Sequence, residues 1–494
     1  MFSTDGGNQQ YTVRNFEMAG QLTAAICLLW DWGWTWSGVH ISLVPIGIQL
    51  INPEAPSGQQ AGSTYLLDTI FVSVGTAVKA EFPLSTILES SIITLDNIQL
   101  FEVSTVVGFA DGSVLDIDAS KDIDFIVIGN VEADGSNFGF LDLSPNIASR
   151  PTSLTNSGLF YSKMLYVTNS RNQYANIDLG SIISVKDHGA MGNGVHDDSD
   201  AIIAALALAT KDNLIYFPAG SYIVTKTILI PPHSRITGEV WSQIVASGSY
   251  FTDMKNPKVM VQVGSPGDVG SVEISDMLFT SIGALPGLVM LEWNIQEDAP
   301  GSAAMWDSHF RVGGALGTQL QAAQCPPTTT IKSSCIAASM MMHITSSSSG
   351  YFENVWAWVA DHDIDDPTNT QVTIAVARGI LIESDGPTWF YGTASEHALL
   401  YQYNFFNTTN SLAAMIQTES PYFQYTTATE SPGPFNSSIG LFANDPIFPD
   451  ATLHGLLLLK IQLALLLRVL VYTRGLIILT KVKHVLIRKT ANNA

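Results

Sequence analysis

The 494-residue chain is 46% hydrophobic and only 13% charged, with 44 Asp and Glu against 22 Lys and Arg. That length and apolar share allow two or three domains with large cores, and the abundance of Gly, Ser, Thr, Asn, Val and Ile suits a β-rich extracellular protein better than a helical cytosolic one. Seven of the bases and none of the acids follow Asp450, so residues 1–450 carry a net −29; such a body repels polyuronates and nucleic acids and leaves a neutral polysaccharide or small molecule as partner.

Met1 opens onto the polar run Ser3-Thr4-Asp5-Gly6-Gly7-Asn8, without the basic-then-apolar pattern of a signal peptide, so a secreted form is expected to start earlier. Four short alternating segments then follow polar turn residues. Taking Asn15, Gly38, Thr69 and Asn97 as equivalents gives spacings of 23, 31 and 28 residues, the signature of stacked solenoid coils with loops of varying length. Within this stretch Trp30, Trp32, Trp34 and Trp36 alternate with Asp31, Gly33 and Thr35, which in a strand puts four indoles on one face. Core packing and an aromatic platform for sugar rings are equally compatible with that pattern.

From about Ala133 to Gly180 the pattern loosens into Ser, Asn, Pro and Gly and reads as a long linker. A second start follows from Ile183. Asp197-Asp198-Ser199-Asp200 is better read as the N-cap of an apolar helix over Ala201–Ala209 than as a metal site, because side-chain oxygens satisfy orphan backbone N–H groups there. That helix is expected to cap a second coil stack, and strands recur from Val272 to Phe423. Trp356 and Trp358 read as core. Cys325 and Cys335 bracket a Pro/Thr/Ser-rich loop that one bridge would close, although free packed thiols fit the spacing equally well. Asp361-His362-Asp363-Ile364-Asp365-Asp366 lacks calcium-loop and zinc spacing and reads as a solvated acidic turn, with His362 able to orient a neighbouring carboxylate.

Glu396 and Glu419 lie in runs of small polar residues and are 23 residues apart, about one coil. Stacked strands would bring their backbones to ~4.8 Å, and two close carboxyls raise the proton affinity of one, as acid/base cleavage of a glycosidic bond requires. Two surface glutamates is the other reading. Residues 455–490 are Leu-rich and basic and never run 18 apolar residues without a charge. They read as a foreign segment or a membrane-surface helix rather than a transmembrane one.

The segments Arg378–Ser384, Gly386–His397, Ile416–Tyr422, Asn8–Asn15, Trp30–Ser37 and Gly350–Asp363 resemble the fungal exo-β-1,3-glucanases of glycoside hydrolase family 55. The resemblance implies an all-β fold of two tandem right-handed parallel β-helices of the pectin-lyase type, side by side around an active-site pocket. The domains would be 1–132 and 181–450, joined by a linker over 133–180 and followed by an atypical tail over 451–494. It implies release of glucose from the non-reducing end of β-1,3-glucan with inversion, no metal or other cofactor, and a secreted monomer binding neither nucleic acid nor membrane. By motif, Glu419 would be the general acid and Glu396 the second acid, on the route that deprotonates water. Gln9 (or Gln10) and Ser37 would hold that water, with Trp34, Trp36, Trp389, Tyr391, His397 and Gln417 lining the substrate site. Family members begin earlier and continue past the position of Pro446, so both β-helices are expected to be shortened. A glucan-binding remnant without turnover and a pectin-active enzyme are the competing readings; the second requires basic groove residues that a −29 body lacks.

Overall fold

The computed structural model describes residues 11–421 except 21, 29–32, 52–62, 134–135, 143–149, 161–162, 329–330 and 420, with positions 435, 442 and 445 and four strands between 455 and 488. Short alternating segments of β-branched and aromatic residues pair in parallel register, coil upon coil. In the first stack Thr12–Arg14, Trp34–Ser37, Ser63–Leu67 and Ile92–Phe101 form one face. Ala24–Leu28, Ile46–Leu50, Thr76–Ala80 and Thr105–Gly108 form another. The chain turns each corner through a left-handed residue: Asn15, Gly38, Asp68 and Asn97 have φ of 52°, 65°, 53° and 58°, a conformation that Gly, Asn and Asp tolerate best. The third corner is therefore Asp68, one residue before the Thr69 expected from the sequence pattern. Ile123–Ala133 runs antiparallel to Ile92–Phe101 and ends the parallel stack.

The second stack starts at Ile182–Ser184. Ser199–Leu206 is the expected helix, buried through Ile202, Ala205 and Leu206 in the second core. Asp197 accepts the Ser199 N–H, whereas Asp198 accepts from Met191 and Gly192. The acidic cluster thus organises the cap, and among the described residues no His, Cys, Asp and Glu side chains group to hold a metal ion. Six parallel strands from Ile228–Ile230 to Tyr401–Phe406 build one wall of the stack. Cys325 and Cys335 are bridged, with Cα atoms 5.9 Å apart.

The two β-helices meet through one buried cluster. Tyr65, Leu67 and Ile92 of the first pack with Trp306, Tyr351, Trp389 and Tyr391 of the second, and Leu154, Tyr166 and Val167 of the intervening segment join the same cluster. Each buried aromatic contributes ~2–3 kcal/mol by area. The segment read as a loose linker therefore contains a hairpin, Thr155–Phe160 with Lys163–Tyr166, packed between the stacks. Arg14 ties the same interface together by donating to Asn169 O (2.8 Å) and Tyr351 Oη (3.0 Å) and by pairing with Glu353 at 2.8 Å.

In the tail, Gly455–Lys460 lies parallel to Tyr401–Phe406 and Val469–Tyr472 lies parallel to Ser411–Glu419. These are strands added to the sheets, not the membrane-surface helix expected. No helix among the described residues is long and apolar enough to cross a membrane.

Candidate active site

The strands Thr388–Glu396 and Ser411–Glu419 each turn a corner of the second β-helix, at Gly392 (φ 56°) and Met415 (φ 58°). Beyond the corners Ala394, Ser395 and Glu396 stand in parallel register with Gln417, Thr418 and Glu419. Ser395 and Thr418, which are fully buried, share their row with the core residue Ala357. By alternation, Glu396, Gln417 and Glu419 face the other side.

Glu396 is 4% exposed, and the Glu419 side chain is 39% exposed. Gln417 Nε2 donates to both carboxylates, at 2.9 Å to Glu396 Oε1 and 3.3 Å to Glu419 Oε1. Trp356 Nε1 donates to Glu396 Oε2 at 3.0 Å. Burial, then the charge of Glu419, pushes the Glu396 carboxyl well above the usual carboxylate range; the Trp356 hydrogen bond opposes this and Asp361 adds to it.

His397 is buried and leaves the corner with φ 68°. Its Nε2 lies 4.0 Å from Glu419 Oε2 and 3.9 Å from Asp361 Oδ1, and Asp361 pairs with His362 Nδ1 at 2.9 Å. The acidic segment is a turn as expected, exposed at Ile364 and Asp365, but anchored at Asp363. Asp363 is 4% exposed and accepts from Gln321, the Ala322 N–H and the Asp365 N–H.

From the first β-helix, Trp34–Ser37 lies against both carboxylate strands. Ser37 is fully buried and its hydroxyl has no hydrogen-bond partner among the described residues, an uncommon state that suits a group reserved for a ligand or water. Gln9, Gln10, Trp30 and Trp32 lie outside the described residues.

Three expected substrate contacts are corrected. Trp36 is 6% exposed and belongs to the interior of the first β-helix; Trp34, partly buried, stacks on it at 5.5 Å and on the exposed Tyr11 at 4.8 Å, an arrangement compatible with the expected aromatic platform. Trp389 and Tyr391 are fully buried and donate to Leu154 O (3.1 Å) and Val167 O (2.9 Å). They precede the Gly392 corner and so face the intervening segment, not the carboxylate pair. Trp356, expected in the core, packs against it and also donates to Glu396. Its alternation with Trp358 was visible in the sequence, but the face it takes was not.

The family model described as rhamnogalacturonase A/epimerase, pectate lyase-like, matches residues 182–264. Together with the stacked parallel coils, this match likens the chain to the pectate-lyase-like class of β-helix proteins. Within that class the chain is similar to glucan 1,3-beta-glucosidase of Cochliobolus carbonum, 36% identical over 96% of this chain and 59% of the relative. It is 46% identical to a probable glucan endo-1,3-beta-glucosidase of Arthroderma benhamiae, over 57% of this chain and 32% of the relative. It is also 41% identical to the non-secreted LysM effector LysM15 of Penicillium expansum, over 90% of this chain and 31% of the relative. The chain therefore spans between about a third and three-fifths of the length of these relatives.

Proposed function

We propose that the chain carries the catalytic unit of a β-1,3-glucan hydrolase of the family-55 type, acting from the non-reducing end and working outside the cell as a monomer. The observation that carries this reading is the in-register pair Glu396 and Glu419, one buried and one reaching solvent, on strands that contact the Trp34–Ser37 strand of the first β-helix. The names of the relatives support the substrate class, and the acidic body suits a neutral polymer.

In the reactive state Glu419 holds the proton and Glu396 is ionised. Glu419 protonates the glycosidic oxygen as the bond from that oxygen to the anomeric carbon breaks. Water, positioned by Ser37 and by Gln9 on the resemblance, attacks the anomeric carbon and gives its proton to Glu396. The raised proton affinity of Glu396 makes it a stronger base than an ordinary carboxylate. The step ends with the proton where burial favours it, and the pair resets through solvent at the exposed Glu419.

The close register of the carboxylates favours a second reading, a retaining mechanism in which one attacks carbon, since retaining pairs sit ~5–5.5 Å apart. Proton NMR of the sugar first released separates the two: α-glucose indicates inversion and β-glucose retention. Glucose release from laminarin that disappears in Glu419→Gln supports the hydrolase; laminarin binding with no release from the unaltered chain would reduce it to a glucan-binding module.

A further inference from the structure

Between the capping helix and the carboxylate pair, the outward side of the second β-helix carries a row of rings that the proposed chemistry does not use. Gln243, Leu278, His309, Trp356, Ala394 and Gln417 occupy one register row across successive coils. Along it Trp241 meets the His309 ring at 5.2 Å, His309 meets Trp356 at 6.2 Å, and Trp356 stacks on Trp358 at 5.4 Å. The row ends at Gln417, which, like Trp356, donates to Glu396. Six strands spanning five spacings of ~4.8 Å separate the two ends of the row by roughly 24 Å, the reach of an oligosaccharide and not of a single sugar.

The far end of the row is built, and at a cost. A register shift in Arg235–Ala246 lies between Thr237 and Ser242 and pushes out Val240 and Trp241, whose φ values of 45° and 65° are unfavourable for such side chains. Trp241 is left 51% exposed. Beside it stand polar groups with capacity to spare. Arg311 Nη2 donates to Gln243 Oε1 at 3.2 Å, while Arg311 Nε and His309 Nδ1 are buried without a hydrogen-bond partner among the described residues. Strain, an exposed indole and buried polar atoms without partners are features that cluster at ligand sites.

We infer that Trp241 and His309, with Gln243 and Arg311, form a distal sugar-binding subsite that holds a β-1,3-glucan chain several residues from the bond being cut. The inference rests on the hydrolase reading for the choice of ligand. The indole offers a flat apolar face to the C–H side of a pyranose ring, and the amide and guanidinium take hydroxyl groups at its edge. Such a subsite makes the protein prefer long chains over disaccharides.

Trp241→Ala and His309→Ala are to be compared with the unaltered chain on laminaribiose, laminarihexaose and laminarin, with thermal unfolding as the check on folding. The expected result is a KM raised roughly 5- to 20-fold for the hexaose and polymer and by less than twofold for laminaribiose, with kcat little changed. An equal effect on all three substrates, or none, overturns the inference. Laminarin titration of Glu419→Gln, followed by tryptophan fluorescence, gives a readout independent of turnover. If the unaltered chain hydrolyses nothing but Trp241→Ala still weakens laminarin binding to Glu419→Gln, the subsite stands and the hydrolase reading falls. If hydrolysis depends on Glu419 but chain-length preference and binding ignore Trp241, the subsite falls alone.

Discussion

Glu396 and Glu419 are register partners on adjacent parallel strands, and one amide, Gln417 Nε2, donates to both. They share one donor but differ in exposure, and burial raises the proton affinity of Glu396. Glu419→Gln and Glu396→Gln are each expected to lower kcat on laminarin by ~10²–10⁴-fold with KM moved less than threefold. Binding that is lost along with turnover would instead mark them as structural.

Trp356→Phe keeps the aromatic packing and removes the Nε1 donor to Glu396. Since that hydrogen bond favours the ionised carboxyl, its loss raises the Glu396 proton affinity further. The limb of the pH–rate profile that reports Glu396 ionisation should move to higher pH, and an unmoved profile would separate Trp356 from the carboxylate pair.

Three other buried carboxyls have raised proton affinities, chiefly through desolvation: Asp68 and Glu353 up to about 7, and Glu297 up to about 8. The unfolded chain releases these protons near pH 4, so between that pH and about 8 the native state binds more protons and stability falls as pH rises. The melting temperature should be several degrees lower at pH 8 than at pH 5. Glu297→Gln, whose Oε2 accepts from Gly301 N–H, should flatten the slope; a protein equally stable at both pH values contradicts this.

Arg14→Ala tests the clamp between the β-helices. At pH 8 it leaves Glu353 ionised and unpaired or forces it to take up a proton, a loss of ~3–5 kcal/mol if the pair resembles other buried ones. At pH 5 Glu353 is already protonated and the loss should be clearly smaller. Urea melts at the two pH values give the comparison.

The coil repeat, the capping helix and the carboxylate pair were legible because they depend on local chemistry: polar corners, alternation, and a spacing of one coil. Faces were less legible. Trp389 and Tyr391 stand in the same motif as Glu396, but Gly392 lies between them and turns the strand through a corner. Nearness in sequence therefore places them on different walls. The Asp68 corner was missed by one residue because Asp68 and Thr69 are both polar, and only φ distinguishes them. The packing of the intervening segment was hidden because its apolar anchors, Leu154, Tyr166 and Val167, fit a surface built by distant strands.

The corner at Gly392 has a mechanical consequence. Upstream of it the strand is bolted to the inter-helix seam by Trp389 and Tyr391; downstream, four residues on, it carries Glu396. A β-strand transmits displacement with little give, so slippage at the seam moves a carboxylate before it melts a core. Activity, not unfolding, is then the more sensitive gauge of how firmly the two stacks are joined.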